Sequence, residues 1–94
     1  MLDKSDLGMV YRILWELREQ LDGGIVTWEY IPDHDVLKLK YEKTIDGQDY
    51  WYHYKVSMDN LRSSVARPEV YVTEYFVTEY KKFEKRIRSK EEMK

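Results

Sequence analysis

"EVYVTEYFVTEY", residues 69–80, is the stretch on which the fold turns. Its β-branched and aromatic content favours a strand. Its VTEY echo recurs every five residues, a period that belongs to neither strand nor helix. The flanks decide for a helix. Pro68 fits a first helical position, where a missing N–H costs nothing, and Glu69 suits the positive helix end. Residues 79–92 are strong helix formers. The pattern predicts a long helix from Pro68 to about Lys90, with Val72, Tyr75, Phe76, Tyr80, Phe83 and Ile87 as its apolar stripe. Glu79 falls inside that stripe. A carboxylate there needs a partner, and Lys82, three residues on, can supply one at the edge of a narrow interface. The functional reading of Glu79 is a polar anchor for a partner protein.

Upstream, Leu7, Val10, Tyr11, Leu14, Leu17 and Leu21 recur at helical spacing, with Trp15 at the stripe's edge. Asp3, Ser5 and Asp6 offer N-cap oxygens, and Gly23-Gly24 is expected to stop the helix through a left-handed C′ residue. A helix over about 5–22 follows. "IVTWEYI", residues 25–31, is a strand with Val26, Trp28 and Tyr30 on one side. "PDHD", residues 32–35, is a turn with solvated aspartates. "VLKLKYEKTI", residues 36–45, alternates, with Leu37, Leu39, Tyr41 and Ile45 on the core side. Asp46-Gly47 is a hairpin signal. "DYWYHYKV", residues 49–56, is the third strand: Tyr50, Tyr52, Tyr54 and Val56 share one side, Trp51, His53 and Lys55 the other. One side is expected to meet the helices, and sequence leaves open which. Ser57 caps a helical turn through Leu61, and Ser63–Ala66 is a loop. The fold expected is α+β, in the order α-β-β-β-α: a three-stranded antiparallel meander with two helices on one face.

Composition bounds function by exclusion. The 94 residues make one small domain. There is no cysteine, so disulfides and thiolate metal sites are out. No apolar run nears the roughly 20 residues that span a bilayer, and the first residues, Met1 to Asp6, are unlike a signal peptide. A cytoplasmic protein with no membrane partner is expected. Residues 1–80 hold nine Lys/Arg against fifteen Asp/Glu, a net of −6; residues 81–94 hold seven against three, a net of +4. An acidic body thus ends in a basic helical tail.

The element order resembles that of the double-stranded-RNA-binding domain. In that family a basic, glycine-containing lead-in precedes the last helix. Here the position reads "SSVARPEVYV", with one arginine and no glycine, and the loop after the first strand is the acidic "PDHD". The resemblance is one of topology and implies no RNA binding.

No catalytic pattern is legible. His53 has no nucleophile or acid at a recognisable spacing. The four glycines form no phosphate-cradling loop. Asp33, His34 and Asp35 are adjacent on a turn and rarely converge on one ion. A non-enzymatic chain with no cofactor and no metal is expected. Nine tyrosines and three tryptophans exceed what a small core needs, and these residues favour interfaces. The leading expectation is a protein-binding module, a small regulator or inhibitor of the kind phages and mobile elements encode. It would use an acidic, aromatic-rich surface around Trp28, Trp51, Tyr52, His53 and Glu79, toward another protein or a second copy of itself. The alternative is nucleic-acid binding through Lys81, Lys82, Lys85, Arg86 and Arg88 with the aromatic third strand, by base stacking in a basic groove.

Overall fold

The computed structural model describes residues 2–63 and 67–92. Helix α1 spans Lys4–Gln20, and strands β1, β2 and β3 span Gly24–Ile31, Val36–Ile45 and Gln48–Ser57. A short helix α2, Met58–Ser63, precedes the long helix α3, Pro68–Glu92. The strands form one antiparallel sheet in the order β1-β2-β3, so β1 and β3 are its edges. The α+β architecture matches the expectation, and residues 69–80 are helical. The loop expected at 63–66 begins as the last residue of α2, and residues 64–66 lie outside the described residues.

Strand alternation sets the layers. Leu37, Leu39, Tyr41 and Ile45 of β2 are buried beneath the helices. Tyr52, Tyr54 and Val56 of β3 share that side, with Val26, Trp28 and Tyr30 of β1. Trp51, His53 and Lys55 therefore point to the opposite, uncovered face. The turn between β2 and β3 is a two-residue one: Asp46 and Gly47 have φ of 51° and 81°. Both central residues at positive φ match the right-handed twist of the strands they join.

Helix α1 begins at Lys4, ahead of its first buried apolar residue, Met9. Asp3 is the N-cap: its Oδ1 accepts from the Asp6 backbone N–H at 2.8 Å, and Asp6 Oδ2 accepts from the Asp3 N–H at 3.2 Å. Each carboxylate thus satisfies a donor that the helix start leaves open. The buried face is Met9, Val10, Ile13, Leu14, Leu17 and then Leu21, rotated from the expected stripe. Tyr11 is not in the core but 58% exposed. It lies 100° round the helix from Val10 and rests edge-on against Trp28, ring centroids 6.3 Å apart. The glycine pair does not end α1 either. The helix stops at Gln20, Leu21 is already extended, and Gly23, at φ 81°, turns the chain into β1. Gly24 is required for another reason: a Cβ there would land on the Tyr41 ring and the Glu42 carbonyl.

Helix α3 lies beside α1. Val72, Phe76 and Tyr80 are buried, and Thr73 and Val77 extend the buried face. Tyr80 meets Tyr41 edge-on at 4.7 Å, and Phe76 meets Tyr52 at 5.3 Å, so the helix rides over the β2–β3 pair. Tyr75, expected in the core, is exposed and leans over Tyr54 at 4.9 Å.

Candidate functional site

One polar cluster ties the molecule together at the end where β1 turns into β2. Pro32–His34 is a single 3-10 turn, and Asp35 follows in the left-handed region, at φ 50°. The Asp35 carboxylate, expected to be a solvated turn group, is one-third exposed and shared between two donors. Tyr30 donates its hydroxyl to Oδ1 at 2.5 Å, and Arg62 Nη1 donates to Oδ2 at 2.8 Å. Arg62 Nε and Nη2 also donate to both oxygens of Asp6, each at 2.9 Å. One guanidinium thus fastens α2 to the start of α1 and to the β1–β2 turn. Its hydrogen bonds hold the Asp6 and Asp35 carboxyls below the usual carboxylate range. Both oxygens of Asp6 and the fork of Arg62 are already taken, so the cluster acts as a staple between elements.

The surface aromatics fall into separate groups. On the outer flank of α1, Trp15 is 64% exposed, Tyr11 lies one turn before it, and Trp28 of β1 lies beneath Tyr11. These three rings border an edge strand. On the far flank Tyr71 and Tyr75 of α3 are exposed beside Tyr54. On the uncovered face Trp51 is 59% exposed, in a cross-strand row with Glu42 and Ile25. Lys40 pairs with Glu42 at 2.6 Å and stands over the Trp51 ring at 6.0 Å. A shallow hollow of about 530 Å³ runs along this row past Gly24 and Lys43.

The residues singled out from sequence are therefore split. Trp51 and His53 are on the uncovered face. Trp28 and Tyr52 are on the helix side, near opposite edges of the sheet. Glu79 sits at the rim of α3, 3.3 Å from Lys82, close enough to Tyr52 to add to burial in raising that phenol's pKa. The uncovered face is not acidic. Glu29, Glu42 and Asp49 are matched there by Lys38, Lys40 and Lys55. His53 sits amid those lysines; its partial desolvation first, then their charges, lower its pKa. Tyr11 and Trp15 were missed as surface residues, although two aromatics four apart on a helix are a legible signal.

The basic tail is partly neutralised. Arg88 donates to Glu84 at 2.8 and 3.0 Å, and Lys43 reaches the same carboxylate at 3.7 Å. Burial acts to raise the Glu84 carboxyl, but these cations hold it below its usual range. Among the described residues, Lys81, Lys85 and Arg86 make no ion pair. The tail belongs to the helix layer, whereas Trp51 and His53 lie on the other side of the sheet. Among the described residues no three His, Cys, Asp or Glu side chains gather as a metal site, and no helix is long and apolar enough to cross a membrane. The chain matches no protein-family model, no curated protein and no solved structure.

Proposed function

We propose that the protein is a non-enzymatic protein-binding module whose docking surface is the flank formed by Tyr11, Trp15 and Trp28. One observation supports this reading most: a tyrosine and a tryptophan, each more than half exposed, stand one helical turn apart, and the tyrosine rests edge-on against a third aromatic ring. Burying such rings yields large favourable contact area at little side-chain entropy cost, which is why Trp and Tyr dominate binding hot spots. Strand β1, which carries Trp28, is an edge strand of the sheet, so a partner seated on the rings would also meet that side of the sheet. The module would act as a regulator or inhibitor by occupying its target.

Affinity capture from the native host after nuclease treatment tests the reading. One stoichiometric partner should survive moderate salt, and be lost with Trp15→Ala or Tyr11→Ala while Lys85→Glu with Arg88→Glu retains it. The reverse pattern, loss with the tail variant and with added salt, would replace this reading by nucleic-acid binding.

A further inference from the structure

The uncommitted edge of the sheet is β3, and its sequence reads nearly the same in both directions by chemical type. "DYWYHYK", residues 49–55, is centred on Tyr52: Asp49 mirrors Lys55, Tyr50 mirrors Tyr54, and Trp51 mirrors His53. An antiparallel strand pair about a twofold axis places each residue against its mirror. From this we propose that the chain forms a homodimer by pairing β3 with β3 of a second copy, the axis passing at Tyr52, to give a continuous six-stranded sheet.

The backbone is arranged for it. A two-residue turn closes with a bond from the N–H of its last residue to the carbonyl of its first, so Gln48 points its backbone groups toward β2. Antiparallel strands alternate, so Tyr50, Tyr52 and Tyr54 also point inward. Asp49, Trp51, His53 and Lys55 then direct their N–H and C=O groups outward, and no other backbone hydrogen bond among the described residues engages them. In the proposed register these outward residues face one another as Asp49–Lys55 and Trp51–His53, each pair exchanging two hydrogen bonds.

The side chains select a second copy over any other strand. On the uncovered face, Lys55 lies directly opposite Lys38 of β2, a like-charge pair that costs stability. The partner's Asp49 would stand on the other side of Lys55 and offset that repulsion, and the twofold repeats the exchange. Exposed Trp51 would gain a neighbouring imidazole. On the helix side, exposed Tyr75 leans over Tyr54 toward the same edge. The other edge, β1, carries the single charge Glu29 and offers no reciprocal pairing. The proposal goes beyond the docking flank at Tyr11 and Trp15 and does not depend on it, because the two lie at opposite edges.

Charge exchange tests the register. Wild-type protein should sediment as a dimer at micromolar to submillimolar concentration. Asp49→Lys alone and Lys55→Asp alone should each weaken association about tenfold, since each sets like charges opposite twice per dimer. Mixing the two variants should restore a heterodimer, because every substituted side chain then meets an opposite charge. In hydrogen exchange, the Trp51, His53 and Lys55 amides should gain protection as concentration rises, while Tyr52 and Tyr54 are protected throughout. A wild-type monomer at every concentration, or a mixture no tighter than its components, would overturn the proposal. So would concentration-independent exchange at Trp51 and His53.

Discussion

At the scale of single residues, Arg62 and Asp6 carry more of this structure than any pattern in the sequence announces. Arg62 sits in a six-residue helix and Asp6 in the first turn of another, 56 positions away, yet they share two hydrogen bonds of 2.9 Å. No periodicity links them; the contact exists only once the sheet has brought the two helix ends together. Asp6 is also half of the capping box. Asp6→Asn should lower stability at pH 7 by about 2 kcal/mol, the usual cost of losing hydrogen bonds to a charged group. The pH dependence has a definite sign. The folded carboxyl titrates below its unfolded value, so its contribution is complete above about pH 4 and disappears as pH falls through the lower folded value. Urea titrations at pH 7, 4 and 2.5 should show the gap between wild type and variant closing only at the acid end. An equal gap at all three would mean that the charge contributes nothing. Gly24 makes the same point about legibility. It looked like a helix stop, and its actual constraint, the Tyr41 ring pressed against its Cα, is set by a residue 17 positions later.

The three strands were legible as elements because a half-buried strand writes its burial into every second residue. Val36–Ile45 shows that alternation almost without exception, and register followed from the Asp46-Gly47 turn. The side of β3 that meets the helices was not legible, since tyrosines line one face and tryptophan and histidine the other, and both are amphipathic. The helix stripes were placed but rotated. A helix spanning two neighbours buries two directions, one toward the sheet and one toward the adjacent helix, and an apolar-stripe reading finds their average. Thr73 exposes that error. It faces the interior of α3's packing, is 1% exposed, and its hydroxyl has no hydrogen-bond partner among the described residues. A buried unsatisfied hydroxyl costs free energy, and valine keeps the branched shape while removing it. Thr73→Val should therefore stabilise the protein by about 1 kcal/mol. Thermal unfolding would show a rise of several degrees, and an unchanged or lowered midpoint would show that the hydroxyl is satisfied in solution.

For the molecule as a whole, the remaining question is where the cooperative unit ends and the basic tail begins. Charge placed the boundary at residue 81, because the sign of the sequence changes there. Packing places it later. Phe83 lies 5.6 Å from the Tyr52 ring and 6.1 Å from Tyr80, and Glu84 reaches Lys43 of the sheet at 3.7 Å. The first turn of the basic segment thus belongs to the folded body, while Lys85, Arg86 and Lys90 are exposed. Tolerance to truncation follows the burial of what is removed. A chain ending after Lys90 keeps Phe83, Glu84 and the contacts they make, and is the reference. A chain ending after Lys82 loses the half-buried Phe83 and the Glu84 bridge. It should be weaker by about 2 kcal/mol, roughly half the cost of deleting a fully buried phenylalanine, which for a chain this size lowers the midpoint by about 10 °C. Calorimetry on the two truncations separates the possibilities. Equal midpoints would return the boundary to residue 81 and make the entire tail an appendage free to bind elsewhere. The unequal pair expected here would confine any independent role of the tail to the residues beyond Glu84.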